Sequence, residues 1–353
     1  MAKVTLNAGS CLLSHSLESE CRKCEVICPT NAIVIADNPL PYINNLECVT
    51  CGACSGVCPT EALNLDTFSA KEFFFTFLDD STSNLISCRK NVPCITVFSV
   101  EHIISLAILK RSVVFDTGYC AECVISSSCY PQIIKNYEEA SYLLEAMQES
   151  ATLELQNISY RDEKESDRRE FLTSLNLTTS AKVKRNIECE LQSAREILDA
   201  HRVKKVDTLL LRKKSLPQKR EILFSAIRGV ERPSVFHRVE ADEVSFTSQK
   251  KIDKTLCNAC QNCYRVCPTG ALSSDITNSK IEFDPFFCIK CNLCHEICEP
   301  NAISSLTTYN IKEFFEPEVQ RVIEFKVLRC QECEMIFSTN SDERVCSRCK
   351  SNQ

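Results

Sequence analysis

Four segments of this 353-residue chain repeat one another, and each carries two cysteines four residues apart. They read CEVICPTNAI from Cys24, CSGVCPTEAL from Cys54, CYRVCPTGAL from Cys263 and CHEICEPNAI from Cys294. The copies fall in two pairs, one toward each end of the chain, so we expect two related domains. A proline within two residues of each second cysteine bars the chain from continuing the preceding element, and we predict a turn followed by a short helix.

The cysteine count, 26 against three methionines and no tryptophan, indicates metal or redox chemistry in a reducing compartment. The first ten residues contain one lysine and no apolar run of signal-peptide length, so we expect a cytoplasmic protein. The longest apolar runs, around residues 73–78 and 103–109, fall far short of the ~20 residues that span a membrane. The net charge of −6 does not favour nucleic acid as a partner.

The string C-x2-C-x2-C-x3-C occurs three times and gives the most specific signal. Its copies are Cys48, Cys51, Cys54 and Cys58; Cys257, Cys260, Cys263 and Cys267; and Cys288, Cys291, Cys294 and Cys298. Three thiolates at two-residue gaps can wrap one face of a cubane, while the fourth ligates the other cluster of a pair. Zinc sites usually show isolated C-x2-C pairs, so the triple step favours iron–sulfur clusters.

With these strings, residues 11–66 and 250–306 each resemble a bacterial-type ferredoxin that binds two [4Fe–4S] clusters, which makes the chain similar to a polyferredoxin. The resemblance implies the ligand sets Cys257, Cys260, Cys263 and Cys298; Cys267, Cys288, Cys291 and Cys294; and Cys28, Cys48, Cys51 and Cys54. His295 lies inside one motif and could adjust that cluster through a hydrogen bond, although a partly exposed spacer residue is the plainer interpretation.

The fourth ligand set departs from the ferredoxin pattern. Cys21, Cys24 and Cys58 are in place, but the position three residues before Cys21 is Glu18. Either Cys11 supplies the missing thiolate across a nine-residue insertion, or Glu18 leaves the cluster with a carboxylate or an open iron. We favour Cys11 because iron–sulfur clusters prefer soft donors.

Two further groups of cysteines lie outside these motifs. Cys330, Cys333, Cys346 and Cys349 have the spacing of a zinc ribbon, and the missing proline and glycine of a rubredoxin site favour zinc over iron. Cys88, Cys94, Cys120, Cys123 and Cys129 match no ferredoxin string. They could bind a fifth metal or cluster, form a redox dithiol at Cys120 and Cys123, or be buried thiols without function.

These observations predict an α+β chain of five parts. Residues 1–68 and 250–310 are ferredoxin-like modules, 69–130 a small cysteine-bearing α/β insert, 131–249 a helical spacer and 320–353 the zinc ribbon. In the insert we predict strands at 73–78 and 113–115 around a helix at 100–110. In the spacer we predict helices at 133–147, 187–198 and 217–229, a charged linker at 161–170, and a free thiol at Cys189.

The predicted function is electron transfer without substrate chemistry, through four [4Fe–4S] clusters, with one zinc ion and an additional cluster as an option in the insert. The layout also resembles, loosely, bacterial iron–sulfur proteins that accompany formate dehydrogenases. This resemblance implies a redox enzyme partner, for example a formate dehydrogenase or its maturation factors. Two alternatives are an assembly protein for a metal-dependent oxidoreductase and a thiol-dependent reductase that uses Cys120 and Cys123.

Overall fold

The computed structural model describes residues 3–36, 40–158 and 214–350. The chain divides into two compact units, the first comprising Met1–Ser14, Cys21–Glu196 and Pro217–His237, and the second His15–Glu20, Ile197–Leu216 and Arg238–Gln353. The predicted helix at 187–198, the charged run at 161–170 and Cys189 lie outside the described residues. Within the described ranges, none of the helices combines the length and the apolar character needed to cross a membrane.

The N-terminal ferredoxin-like module pairs its first strand with its last. Val4–Leu6 runs antiparallel to Leu63–Leu65, and Ile33–Val34 pairs with Tyr42–Ile43 between them. The helices of the module are Leu12–His15, Lys23–Val26 and Ala53–Val57. Buried apolar residues such as Val4, Ile33 and Leu63 form its core together with several cysteine side chains.

The segment after the second cysteine of each repeat is a strand and not the predicted short helix. These strands are Ile33–Val34, Leu63–Leu65, Leu272–Ser274 and Ile303–Ser305. Leu63 and Leu65 are buried while Asn64 between them is exposed, which is the two-residue period of a strand. The apolar residues of the repeat therefore reach the core by alternation along a strand.

The insert contains a parallel sheet in the order Leu85–Ser87, Ser112–Asp116, Thr152–Gln156. The predicted helix Val100–Lys110 connects the first two strands, and the strand predicted at 113–115 lies within the central one. Parallel neighbours need such crossover connections. The helix Val100–Lys110 is buried over its first nine residues, because it also packs against the helices Ser126–Ala146 and Gln218–Arg228.

The strand predicted at residues 73–78 is wrong, because these residues belong to the helix Ala70–Asp79. Ser69 caps this helix, and its hydroxyl accepts the backbone N–H of Glu72 at 3.3 Å. The Ser-x-x-Glu sequence favours the start of a helix, and this preference overrides the strand tendency of the apolar run that follows. Phe73 and Phe77 then stack one helical turn apart, with ring centroids 5.2 Å from each other.

The spacer predicted over residues 131–249 is only partly helical. The helix Ser126–Ala146 begins before it, and the strand Thr152–Gln156 lies inside it. In that strand the half-buried leucines alternate with exposed polar residues, which is why it joins the sheet. The helix predicted at 217–229 is confirmed as Gln218–Arg228, with Pro217 and Gly229 as its caps.

The second unit repeats the plan of the first module and extends it. Lys250–Ile252 pairs with Ile303–Ser305, and Leu272–Ser274, Lys280–Phe283 and Gln320–Glu324 form an antiparallel sheet. Arg238–Glu240 pairs with Thr308–Asn310, and Lys326–Arg329 with Ile336–Thr339. Its helices are Asn262–Val266, Leu293–Glu296, Lys312–Phe315 and Ser347–Lys350. The short 3-10 turns in the described chain are Ile95–Val97, Ala241–Glu243 and Pro285–Phe287.

Candidate metal centres

The backbone takes the same turn after the second cysteine of all four repeats. The third residue beyond that cysteine has a positive φ in each copy: Asn31 at 54°, Glu61 at 52°, Gly270 at 77° and Asn301 at 50°. Residues other than glycine and asparagine rarely adopt this left-handed backbone conformation. Its recurrence, even at a glutamate, indicates that the turn serves a common purpose at all four positions.

This turn aims a backbone N–H at the cysteine sulfur. Such bonds run from Ala32 to Cys28 at 3.2 Å, from Ala62 to Cys58 at 3.2 Å and from Ala302 to Cys298 at 3.3 Å. In the fourth copy Ala271 donates instead to Oγ1 of Thr269, which lies 3.8 Å from the sulfur of Cys267. An N–H donor stabilises negative charge on sulfur, which a cluster ligand carries.

Each of the three C-x2-C-x2-C-x3-C strings bends sharply around its second cysteine. The residues on both sides of that cysteine have positive φ: Thr50 and Gly52, Ala259 and Gln261, Lys290 and Asn292. Such strained residues persist only where the surrounding structure imposes them. The strings therefore share one wrapped backbone path, as expected for three thiols that serve a common site.

The second unit brings two groups of four cysteines together. Cys257 lies within electrostatic range of Cys260 and Cys298, and Cys263 of all three. The other four sulfurs line a single cavity: Cys267, Cys288, Cys291 and Cys294. The groups adjoin, because Cys294 also lies within electrostatic range of Cys263.

In the first unit, the first three cysteines of the complete string lie close to Cys28. Cys48 interacts electrostatically with Cys51 and Cys28, and Cys54 interacts with all three. Cys54 also interacts with Cys24 of the neighbouring group, so two sites adjoin in this module as well.

Cys11 joins the incomplete set. One cavity is lined by Cys11, Cys21, Cys24 and Cys58. The backbone around Cys21 lacks the paired left-handed residues, since Arg22 has a φ of −125°. Glu18 is not among the residues that line this cavity. The structure thus groups the buried thiol of Cys11, and not the carboxylate of Glu18, with the other three.

All four groups have the donors that an iron–sulfur cluster requires. Burial, followed by repulsion from neighbouring sulfurs, raises the pKa of Cys24 and of Cys263 to about 12. Buried thiols of this kind lose their protons when a bound cation compensates the negative charge. Four soft donors around one cavity, with N–H groups aimed at the sulfurs, fit a [4Fe–4S] cluster.

His295 uses its ring to bind a lysine. Lys250 is buried and its Nζ lies 2.7 Å from Nε2 of His295 and 2.8 Å from the hydroxyl of Ser305. Desolvation and the nearby Lys250 lower the pKa of His295 to about 4, so its ring is neutral at pH 7 and accepts from the ammonium. Lys250 itself lines the cavity of Cys267, Cys288, Cys291 and Cys294, which places a buried cation beside four thiols.

The C-terminal cysteines form a compact four-sulfur site on a hairpin. The sulfurs of Cys330, Cys333, Cys346 and Cys349 all lie within 4.8 Å of one another. Cys333 and Cys346 are 3.8 Å apart, as expected for two thiolates at about 2.3 Å from one tetrahedral ion. The N–H of Cys346 donates to the sulfur of Cys330 at 3.3 Å, and backbone donors lower the pKa of Cys330 to about 6.

The five cysteines of the insert also meet in space. Cys120 lies within electrostatic range of Cys88, Cys94 and Cys123. Cys129 lies within electrostatic range of Cys94 and of Cys51. This group matches no sequence motif, because its members come from four separate places along the chain.

Comparison with known families agrees with the geometry of both modules. A family model described as a 4Fe-4S dicluster domain matches residues 19–62, and another with the same description matches residues 249–299. The chain contains two 4Fe-4S dicluster domains. The prediction of two bacterial ferredoxin-type domains is therefore confirmed, and iron–sulfur binding with it. No curated protein and no solved structure matches the chain.

Proposed function

We propose that this protein is an electron carrier that holds four [4Fe–4S] clusters as two adjoining pairs. The observation that carries the proposal is the proximity of the groups within each pair: Cys54 lies within electrostatic range of Cys24, and Cys294 of Cys263. A single cluster can brace a fold, whereas adjoining pairs in two modules suit the passage of electrons. When bound, each cluster would accept and release one electron.

The proposed ligands follow the four groups. They are Cys11, Cys21, Cys24 and Cys58; Cys28, Cys48, Cys51 and Cys54; Cys257, Cys260, Cys263 and Cys298; and Cys267, Cys288, Cys291 and Cys294. The N–H groups of Ala32, Ala62 and Ala302 would stabilise the charge on their cysteines, and Lys250 would favour the reduced state of its neighbour.

The partner we propose is a redox enzyme in the cytoplasm, with a formate dehydrogenase as one example that rests on layout alone. We assign no catalytic residue to the chain. A reductase that uses Cys120 and Cys123 would need a ready thiolate, whereas burial and neighbouring thiols raise the pKa of Cys120 to about 12. An assembly protein should still function when the potentials of its clusters are changed by mutation. An electron carrier should not, because its function depends on those potentials.

Potentiometric titration of the anaerobically purified full chain tests this function. We expect uptake of about one electron per cluster between roughly −700 and +450 mV, followed by rapid reoxidation with a mediator dye whose potential is higher than that of the cluster. The readouts are absorbance and EPR during reductive and oxidative titrations. Clusters that are assembled but take up no electron in this range would identify structural sites and contradict the proposal.

For the C-terminal site we propose zinc, held by Cys330, Cys333, Cys346 and Cys349. Metal analysis should find about one zinc ion per chain. The change Cys333→Ser should remove the zinc and leave the iron content unchanged, because the iron sites use other cysteines. A ferric signal of the rubredoxin type, lost with Cys333→Ser, would instead show that this site binds iron.

A further inference from the structure

The cysteines of the insert stand where two parallel strands end. Cys88 directly follows the strand Leu85–Ser87, and Cys120 and Cys123 lie in the loop after the strand Ser112–Asp116. The carboxyl ends of neighbouring parallel strands meet at one edge of a sheet, a common place for bound groups in α/β folds. The fourth cysteine, Cys94, directly precedes the turn Ile95–Val97 and caps its N-terminal end.

Buried polar contacts fix the loops at this edge. The carboxylate of Asp116 accepts the hydroxyl of Ser87 at 2.8 Å and the backbone N–H of Gly118 at 2.9 Å. A Cβ atom at Gly118 would lie 2.3 Å from the carbonyl oxygen of Ile158, so only glycine fits there. The guanidinium of Arg89 covers the ring of Tyr119 at 4.3 Å and ties the first loop to the second.

Four of these thiols lie near one another. Cys88 lies within electrostatic range of Cys94 and Cys123, and Cys120 within range of all three. Among the described residues, only the ribbon cysteines have sulfurs close enough to share a single ion. The insert cysteines are thus spaced like the ferredoxin groups, whose thiols each bind a different iron of a cluster.

Cys129 is the fifth cysteine of the insert, and it lies on a helix and not in the loops at the sheet edge. It is 3% exposed, in the first turn of the helix Ser126–Ala146. Its thiol lies within electrostatic range of Cys94 of the insert group and of Cys51 of the ferredoxin group. One thiol therefore stands between two prospective ligand sulfurs.

The backbone holds the two groups against each other. The helix Ala53–Val57, which carries Cys54, packs on the turn Ile95–Val97 that follows Cys94. A Cβ atom at Gly56 would lie 2.0 Å from the carbonyl oxygen of Thr96. Any side chain at Gly56 would push the insert away, so this glycine is required for the close approach.

We propose that Cys88, Cys94, Cys120 and Cys123 bind a fifth iron–sulfur cluster, of the [4Fe–4S] type, and that Cys129 links it to the cluster of Cys28, Cys48, Cys51 and Cys54. The soft, all-thiol donor set suits such a cluster. The insert is then a third redox module, which exchanges electrons with the first ferredoxin domain. The link rests on the proposed electron-carrier function, whereas the fifth site itself does not.

Iron and sulfide analysis of the full chain, reconstituted anaerobically, tests the site directly. We expect about 20 irons per chain, against about 16 for the ferredoxin clusters alone. The pair of changes Cys120→Ser and Cys123→Ser should remove about four irons, while the control Cys189→Ser should remove none. Mössbauer spectra identify the cluster type in each protein.

Several outcomes overturn the site independently of how the variants fold. A wild-type count of about 16 irons would remove it, and about 18 irons with a [2Fe–2S] spectrum would exclude the cubane. An extra zinc ion in place of the extra iron would make it a structural site. These results leave the electron-carrier proposal intact, since that proposal fails only if the ferredoxin clusters take up no electrons.

The role of Cys129 has its own readout. Cys129→Ser should keep all the irons but weaken the magnetic interaction between reduced clusters in EPR spectra and slow reduction of the fifth cluster. Loss of about four irons from Cys129→Ser would make Cys129 a ligand and overturn the proposed set. Unchanged EPR spectra and reduction rates would overturn the link.

Discussion

Replacing Cys11 with alanine is expected to abolish the [4Fe–4S] signal of one cluster, with a loss of up to about four irons per chain. Cys11 lines the same cavity as Cys21, Cys24 and Cys58, and burial raises the pKa of its thiol. Without its sulfur, one iron would keep only inorganic ligands and water. Iron analysis and EPR of the anaerobically purified full chain measure the effect.

The matched control is Glu18→Gln, at the position where a ferredoxin string would carry its first cysteine. Since Glu18 does not line the cavity, this variant should retain wild-type iron and an unchanged spectrum. Full iron in Cys11→Ala together with a loss in Glu18→Gln would reverse the ligand assignment. The two variants thus separate the two donors that the sequence leaves open.

The cysteine strings allow the iron–sulfur character to be predicted, because their spacing is dictated by the cluster itself. The sequence does not show as clearly which residue supplies the fourth ligand of the first site. Cys11 lies ten residues from Cys21, and only the fold of the segment around Leu12 and Leu13 reveals that its thiol is buried in the cavity. Spacing in sequence does not report this kind of proximity.

Short elements mark the limit of pattern analysis. The phenylalanines at 73–75 and 77 suit a strand or a buried helix equally, and the cap at Ser69 decides between them. The strand Thr152–Gln156 is recognisable only once its parallel neighbour Ser112–Asp116 is in place. Tertiary pairing overrides local preference at both positions.

The residues that sequence reasoning missed altogether are buried charges. Lys219 and Arg220 look like a solvated start of the helix Gln218–Arg228, yet they are 4% and 0% exposed. Glu101, on the helix Val100–Lys110, is 1% exposed, accepts a hydrogen bond from Arg220 and forms an ion pair with Lys219. Charged residues are almost never fully buried unless paired, and the partner lies over a hundred residues away.

This buried network supports the second large prediction, made for the change Glu101→Met. Nε of Arg220 lies 2.7 Å from one carboxylate oxygen of Glu101, and Nζ of Lys219 lies 3.6 Å from the other. Removing the carboxylate takes away the buried ion-pair partner that Arg220 and Lys219 share. We expect a loss of about 3–5 kcal/mol in the free energy of unfolding of the first unit.

Lys219 connects this loss of stability to the first cluster site. Its Nζ donates to the carbonyl oxygen of Cys58 at 2.7 Å, and its backbone N–H donates to Glu61. The segment between Cys58 and Glu61 includes the left-handed turn that aims Ala62 at the sulfur. Glu101→Met should therefore release iron from this site at lower denaturant concentration than from the second unit.

Denaturant titration under anaerobic conditions, followed by far-UV circular dichroism and by cluster absorbance, measures both effects. The double change Glu101→Met with Arg220→Met should recover most of the stability, because paired removal leaves fewer uncompensated charges. The pair of Arg111 and Glu149, 2.6 Å apart, provides the control: the Arg111 side chain is 57% exposed, so Arg111→Met should cost less stability than Glu101→Met. If Glu101→Met proved as mild as Arg111→Met, water would have to reach Arg220 and Lys219, and the helix Gln218–Arg228 could not be docked as the structure has it.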